Sequence, residues 1–161
     1  MAASSACCCE GLAVSAAPCE FCASPGGAVL WQNGLCRVVR VDDPDYPGFC
    51  RVILGRHARE MSDLGDAERA GLMAVVFAVE AAVRETMRPD KMNLASLGNM
   101  TPHVHWHVIA RFADDRHFPG PIWAPPQRPG PAPAERIERA RGLAAVLVGQ
   151  LARLAHLQAA S

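Results

Sequence analysis

The sequence lacks an excess of charge of either sign, and it lacks a long apolar run. Lysine plus arginine and aspartate plus glutamate number 16 each, so the formal net charge of the 161 residues is zero at pH 7. Without a basic excess there is no electrostatic footprint for a nucleic-acid partner. No stretch approaches the roughly 18 consecutive apolar residues of a membrane-spanning helix. The composition therefore predicts neither a nucleic-acid-binding protein nor a membrane protein.

The sequence also lacks the cysteine arrangement of a disulfide-stapled protein. Its seven cysteines are an odd number, and three of them are adjacent, at positions 7, 8 and 9. Both features make a disulfide framework a poor interpretation. The first residues carry no positive charge and no long apolar segment, so they do not match a secretory signal. These observations predict a reducing cytoplasm, with thiols that are free or metal-bound.

Hydrophobic patterning predicts an α+β protein with an antiparallel sheet flanked by helices. Half of the residues are apolar, which is enough for a sizeable core. The Asn33-Gly34 pair is typical of a hairpin turn. Five apolar residues recur at helical spacing: Leu72, Val75, Val76, Val79 and Val83. The predicted strands are 28–31, 35–41, 49–54, 91–97 and 103–112, and the predicted helices are 66–88 and 134–157.

Three segments divide the chain. Residues 1–17 are mostly Ala, Ser and Cys without a pattern, and they are predicted to be a disordered tail. Residues 18–125 hold the predicted sheet and first helix. Residues 126–161 are predicted to be a Pro-rich linker and an amphipathic helix, and the seven prolines of 113–133 exclude a regular element there. The apolar face of that helix is Ile137, Ala140, Ala144, Leu147, Leu151 and Leu154.

Three histidines at alternate positions, His103, His105 and His107, are the main candidate site. Val104, Trp106 and Val108 alternate with them, which is the period-2 pattern of a strand with one apolar face. The imidazoles are therefore expected on the other face, spaced about 6.6 Å apart. A neutral imidazole is a nucleophile near pH 7, so His105 is the natural nucleophile and its neighbours stabilise charge on a phosphate. The alternatives are a solvated strand face and a joint metal site.

The run His-Val-His-Trp-His-Val-Ile resembles the motif of the histidine triad (HIT) family, in which three histidines alternate with apolar residues. The resemblance covers residues 18–125, including Cys19-Glu20-Phe21-Cys22 and the segment His117-Phe118-Pro119-Gly120. The sequence is most similar to the bacterial hydrolase branch. This resemblance implies a HIT-like fold and a nucleotide-binding domain in residues 18–125.

The resemblance implies a hydrolase or nucleotidyl transferase acting at the α-phosphate of nucleoside phosphoramidates, acyl-adenylates or dinucleoside polyphosphates. His105 matches the nucleophile that forms a nucleotidyl-histidine intermediate, and His103 and His107 match its partners. Related transferases and phosphorylases carry Gln where His107 stands, so His107 favours hydrolysis. The chemistry needs no metal cofactor. The implied partners are a purine nucleotide and a second copy of the chain, in a homodimer.

The resemblance also points to nucleotide-binding residues outside the triad. Asp42 stands where the family often has an acid that holds the ribose hydroxyls. Its alternatives are Asp43 and a solvated loop position without a role. Asn99 and Thr101 stand where the family places donors for phosphate oxygens. Asn93 is a further candidate, and its alternative is a structural role in the strand.

A second implied site is a structural zinc. Some HIT relatives bind zinc through a Cys-x-x-Cys pair, the histidine after the third strand and the first triad histidine. The matching residues are Cys19, Cys22, His57 and His103, a Cys₂His₂ set that suits tetrahedral Zn²⁺. The alternative for His57 is a surface histidine at a helix entrance. If zinc holds His103, that residue fixes the strand of His105 instead of donating to phosphate.

Two departures from the family pattern keep other functions open. Many relatives have a fourth histidine after a glycine, whereas Phe49 follows Gly48 here. The glycine-rich loop before the triad is shortened to 98–102. A zinc-stabilised nucleotide-binding module with little or no turnover is therefore the first alternative. A metalloenzyme that uses the triad as ligands is the second, and it predicts that chelation abolishes activity.

Overall fold

The computed structural model describes residues 19–159, with side chains as far as His156. The strands are β1 (Ala28–Gln32), β2 (Cys36–Arg40), β3 (Cys50–Leu54), β4 (Lys91–Ala95) and β5 (His105–Arg111). They form one antiparallel sheet in the order β1-β2-β3-β5-β4. The helices are α1 (Glu20–Ala23), α2 (Asp66–Met87), α3 (Ala134–Ala140) and α4 (Leu143–Ala159), with a 3₁₀ turn at Met61–Asp63. The predicted α+β architecture is confirmed.

The main core lies between the sheet and α2. All five residues of the predicted helical stripe are buried there, against Val38, Val52 and Val108 of the strands. The helix begins after Gly65, whose backbone N–H donates to the Glu68 carboxylate (3.1 Å). Asp66 and Glu68 lie in the first turn, where the helix dipole favours negative charge. The amphipathic pattern therefore fixes which face of the sheet α2 covers.

The opposite face of the sheet carries the polar residues of β3 and β5. Arg51 pairs directly with His107, and Ile53 pairs with His105. Directly opposed residues of an antiparallel pair share a face. Since Cys50, Val52 and Val108 are in the α2 core, strand alternation places Arg51, His105 and His107 on the other side.

The C-terminal region corrects the prediction of one continuous helix over 134–157. The helix is interrupted at Arg141 and Gly142, and α4 begins at Leu143. Glycine is a poor helix former, and the interruption changes which side chains face inward. Ala140, Leu143, Leu147 and Leu151 are buried, whereas Ile137 is 44% exposed and Ala144 is also exposed. The predicted apolar face was therefore wrong at Ile137 and Ala144.

The remaining predictions concern the chain around these elements. No helix or strand lies between Arg111 and Ala134, as the prolines indicated. β5 begins at His105 and not at 103, because the His103 N–H bonds to the Thr101 carbonyl in a turn (2.8 Å). The predicted tail, 1–17, lies outside the described residues. Among the helices of residues 19–159, none has the length and hydropathy needed to cross a membrane.

Candidate active site and candidate metal centre

The three histidines of the triad are buried. His103 is 1% exposed, and His105 and His107 are each 5% exposed. A solvated strand face is therefore excluded. The His105 and His107 rings lie edge to face, with centroids 4.8 Å apart. Phe21 packs on His105, with centroids 4.8 Å apart.

The two ring nitrogens of His105 have different hydrogen-bond partners and therefore different protonation. Its Nδ1 lies 2.6 Å from the backbone carbonyl oxygen of His103. A carbonyl only accepts, so Nδ1 carries the proton and Nε2 keeps its lone pair. That Nε2 lies 3.1 Å from Nε2 of His107, which therefore donates to it. The geometry gives His105 a nucleophilic nitrogen next to an N–H donor.

Burial keeps this pair of imidazoles neutral. Loss of solvation lowers the pKa of His105 below its ordinary value. Burial, together with the neighbouring His105 and Arg51, lowers the pKa of His107 to about 3. The Nδ1 atom of His107 is buried with no hydrogen-bond partner among the described residues. A proton on that atom would have no acceptor, which agrees with a neutral ring.

A cavity of about 390 Å³ opens onto these two histidines. Its size is that of a small-molecule site. It brings together four of the predicted residues, His105, His107, Asn99 and Thr101. The other lining residues are Glu20, Phe21, Arg51, Leu97, Met100 and Trp123.

Two predicted nucleotide-binding residues lie elsewhere. Asp42 lines a different cavity, together with Arg40 and Arg141. The Asn93 side-chain Oδ1 accepts a hydrogen bond from Arg111 (2.6 Å), and its Nδ2 donates to the backbone carbonyl oxygen of Met92. Neither residue is among those that line the His105 cavity. The side-chain contacts of Asn93 match its structural alternative, and a nucleotide-binding role for either residue stays a prediction.

Arg51 is a cationic residue of this cavity that sequence reasoning missed. It stands between the apolar Cys50 and Val52 on β3, and its partner across the strands is His107. A lone charge within an apolar strand was the available signal, because alternation directs it away from the core. Its significance depends on the pairing of β3 with β5, which the local pattern does not reveal.

Trp123 contacts the site within the same chain. Its indole ring lies against His107, with centroids 5.0 Å apart, and it is half exposed. The irregular segment after β5 carries it there, and the buried Arg111–Asp115 ion pair (2.7 Å) anchors that segment. Arg111 also donates to the Gly120 carbonyl (2.8 Å).

A candidate metal centre lies beside this cavity. One ligand atom from each of Cys19, Cys22, His57 and His103 lies within 4.8 Å of all the others. The Cys19 Sγ and Cys22 Sγ atoms are 3.4 and 3.7 Å from His103 Nδ1, and Cys22 Sγ is 3.4 Å from His57 Nδ1. A tetrahedral Zn²⁺ with ordinary bond lengths gives a sulfur–nitrogen separation of about 3.6 Å. The predicted Cys₂His₂ set therefore fits the ion.

His103 faces this metal centre rather than the cavity of His105. Its Nδ1 points at the two thiols, and its Nε2–H donates to the Leu54 carbonyl oxygen (2.9 Å). Such a second bond fixes the tautomer of a metal-binding histidine. With both nitrogens committed, His103 has no atom left to donate to a phosphate.

An antiparallel sheet with a helix on one face and alternating histidines on the other defines a class of α+β proteins built around a histidine triad. The model of the HIT domain family matches residues 26–114. That span is more than half of the chain, and the chain belongs to the HIT domain family.

Individual relatives agree with this assignment. A histidine triad protein from Marinobacter aquaeolei VT8 is 30% identical, with a TM-score of 0.65 over 84% of this chain and 95% of that one. One from Bradyrhizobium japonicum is 28% identical, with a TM-score of 0.64 over 78% and 91%. The AP-4-A phosphorylase of Mycobacterium tuberculosis is 31% identical over 98 residues, 57% of this chain. This chain spans about half the length of that curated relative.

Proposed function

We propose that this protein is a nucleotide hydrolase or nucleotidyl transferase that cleaves at the α-phosphate through a nucleotidyl-histidine intermediate. The observation that carries the proposal is the pair of bonds to His105. The His103 carbonyl holds its Nδ1 proton, and its Nε2 lone pair lies 3.1 Å from the His107 N–H donor beside an open cavity. The HIT domain and the similarity to AP-4-A phosphorylase support nucleotide processing.

The first half of the proposed reaction forms a phosphorus–nitrogen bond. The Nε2 lone pair of His105 attacks the α-phosphorus, and the bond from phosphorus to the leaving group breaks. A nucleoside polyphosphate departs as an anion with the bonding electrons, whereas an amine also takes a proton from water. The His107 Nε2–H loses His105 as its acceptor and donates to a phosphate oxygen instead. The His103 carbonyl oxygen stabilises the positive ring of the intermediate.

The second half regenerates His105. Water attacks the phosphorus, releases a proton to solvent, and the phosphorus–nitrogen bond returns its electrons to Nε2. The product is a nucleoside monophosphate. If inorganic phosphate attacks instead, the product is a nucleoside diphosphate. The similarity to a phosphorylase favours that second outcome. The family resemblance favours water, because His107 stands where transferases and phosphorylases of the family typically carry Gln.

Product analysis tests the proposal. The protein is mixed with adenosine phosphoramidate or with diadenosine tetraphosphate, with and without inorganic phosphate. We expect AMP from both substrates in the absence of phosphate, and ADP only if phosphate is the acceptor. His105→Ala should form neither product, because it removes the nucleophile. Acid-quenched wild-type samples should contain a protein-bound nucleotide that the variant lacks.

His156→Ala is the matched control, because His156 is an exposed histidine of α4. It should release AMP at the wild-type rate. Turnover by His105→Ala equal to wild type would overturn the mechanism. Nucleotide binding without turnover of any substrate would support the alternative of a binding module. The comparison requires that His105→Ala and His156→Ala both unfold at the wild-type temperature.

We propose that Cys19, Cys22, His57 and His103 hold a structural zinc ion. The separations between their ligand atoms support this, because they match a tetrahedral site. When bound, zinc would cross-link the segment before β1 to the ends of β3 and β5. The chain's own residues would perform the chemistry, and the metal would stabilise the strand that carries His105.

We also propose, from the family resemblance, that the base is a purine and that the protein is a cytoplasmic homodimer. The outer edge of β4 is unpaired within the described sheet, so it is available to a second copy. Exposed Phe77 on α2 would add apolar area to such an interface. Light scattering in solution gives the oligomeric state directly. Asn99 and Thr101 are proposed to contact the phosphates, since both line the cavity.

A further inference from the structure

We propose that Arg51 is the residue that binds the phosphate chain on the leaving-group side, and that it selects dinucleoside polyphosphates over phosphoramidates. This inference rests on the proposed function and deepens it. Arg51 lines the cavity of His105 and His107 and is half-buried. Within β3 and β5, it is the cationic side chain directly paired with His107.

Neutral groups hold the Arg51 guanidinium in place. Two phenyl rings flank it, with the guanidinium carbon 5.8 Å from the Phe21 centroid and 5.6 Å from the Phe49 centroid. Both distances are within the range of cation–π contacts. One N–H donates to the Gly26 carbonyl oxygen (3.2 Å). The side chain is therefore oriented by aromatic and neutral partners.

No carboxylate pairs with Arg51 in the part of the chain that the structure describes. Its Nε atom is buried, with no hydrogen-bond partner among the same residues. Burial lowers the pKa of Arg51, and the negative charge of Glu20, the acidic residue of the cavity, raises it against that effect. The Glu20 carboxylate nevertheless accepts from the Thr101 hydroxyl (3.1 Å) and forms no ion pair with Arg51. A half-buried charge without an ion pair is costly. A bound anion would supply the missing charge and would accept from the terminal N–H groups of the guanidinium.

The position of Arg51 along β3 indicates which phosphate groups of the substrate it would bind. It is opposite His107, whereas the residue opposite the nucleophile His105 is Ile53. The backbone position of Arg51 is thus displaced by two residues along β3, roughly 6.6 Å, from the position opposite the nucleophile. A nucleoside polyphosphate leaving group carries several negative charges into that space. The amine leaving group of a phosphoramidate carries none.

The test compares Arg51→Gln and Arg51→Lys with wild type on both substrates, diadenosine tetraphosphate and adenosine phosphoramidate. A charged hydrogen bond contributes enough that its removal should lower kcat/KM for the tetraphosphate roughly 10- to 100-fold. The phosphoramidate should change by no more than about 3-fold, since its leaving group does not contact Arg51. Arg51→Lys keeps the charge and should recover part of the loss. Arg153→Gln, an exposed arginine on α4, is the matched control.

Binding without turnover separates this inference from the proposed function. In the His105→Ala background, calorimetry compares ATP, which carries the leaving-group phosphates, with adenosine, which has none. We expect Arg51→Gln to weaken ATP binding roughly 10-fold or more, with adenosine binding unchanged. The ATP affinity should also fall as salt increases, and this dependence should flatten in the variant.

Three outcomes would overturn the assignment of Arg51. One is unchanged ATP affinity in Arg51→Gln, and another is an equal loss on both substrates. The third is equal loss in Arg51→Lys and Arg51→Gln at wild-type unfolding temperatures, which would show that shape rather than charge matters. If wild type releases AMP in any of these cases, the proposed function stands and only Arg51 is reassigned. Absence of AMP from wild type would instead overturn the proposed function.

Discussion

The lowered pKa of His107 makes the stability of the folded protein depend on pH. The ring lies between Phe49 and Trp123, with centroids 5.6 and 5.0 Å away, and its buried Nδ1 has no partner among the described residues. The folded protein therefore holds this imidazole neutral, with a pKa of about 3. The same side chain titrates near 6.5 once the chain is unfolded.

Acid should accordingly destabilise the protein through His107. Because the folded pKa is below the unfolded one, the unfolded state binds the extra proton as pH falls. The stabilising contribution is complete above about pH 6.5 and is lost progressively as pH falls towards 3. At pH 5 the loss is roughly 2 kcal/mol for this one group. Urea unfolding of chelator-treated protein at pH 7.5 and pH 5 measures it without interference from metal release.

His107→Gln is the comparison for this measurement, since it removes the titrating group and keeps a polar side chain. Its free energy of unfolding should decrease less between the two pH values than that of wild type. Identical decreases would assign the acid sensitivity to other groups.

At the residue scale, alternation predicted the direction of two of the three triad histidines. Alternation correctly placed His105 and His107 on one face. It did not reveal that His103 lies before the strand and turns towards Cys19 and Cys22, since that depends on a contact 84 residues apart along the chain. The importance of Arg51 was hidden for the same reason.

Among the elements, α4 illustrates how packing extends the core beyond the sheet. Leu143, Leu147 and Leu151 recur every four residues and are buried in the same cluster as Leu72 and Val76 of α2. Spacing of this kind places side chains on one stripe of a helix. The segment predicted as an appended helix thus covers the outer side of α2.

Truncation of Leu147 should therefore cost as much as a change in the central core. Leu147 is 0% exposed, whereas its neighbour Val148 is 53% exposed. Leu147→Ala should lower the free energy of unfolding by about 2–5 kcal/mol, and Val148→Ala by no more than about 0.5 kcal/mol. Equal small effects in denaturant titrations would show that α4 does not contribute to the cooperative core.

The same helix shows where pattern reading fails. The stripe of α2 was predicted correctly because 22 residues run without interruption between Gly65 and Arg88. The stripe of the last helix was predicted as continuous through Gly142, so its first turn was assigned in the wrong register. A periodic pattern identifies a face only as far as the helix is unbroken.

For the molecule as a whole, the candidate metal centre links segments distant in sequence. Cys19 and Cys22 precede β1, His57 follows β3 and His103 precedes β5. Arg37 of β2 strengthens this arrangement, because its guanidinium donates to the carbonyl oxygens of Phe21, Ser24 and Pro25. A metal here would bind only the folded chain.

Removal of the metal should consequently lower the unfolding temperature before it affects chemistry. A ligand at 100 times its Kd contributes about 2.7 kcal/mol, which is roughly 5–10 °C for a chain of this size. Chelator treatment should produce that shift, zinc should reverse it, and AMP release at 25 °C should persist. Elemental analysis should find one zinc per chain in wild type.

The variant Cys19→Ser/Cys22→Ser serves as the control for the metal. It should contain no zinc and should unfold at the same temperature with or without chelator. Loss of AMP release on chelation without any change in unfolding temperature would support the metalloenzyme alternative instead.

The fold as a whole was accessible from sequence because strand alternation and helical spacing are local. The strand order was not, since β3 lies beside β5 through pairing between residues more than 50 positions apart. The pairing of β3 with β5 brings Arg51 next to His107 in the cavity.

The acceptor that holds the Nδ1 proton of His105 is a main-chain carbonyl, that of residue 103. Every amino acid carries this oxygen, so no codon change at position 103 deletes it. A lineage could lose the imidazole at 103, and with it a candidate metal ligand, while the next histidine kept its tautomer. The backbone conformation at residue 103 therefore sets the orientation of the nucleophile. A substitution of the side chain at 103 leaves this acceptor in place, whereas a side-chain acceptor would be lost with its residue.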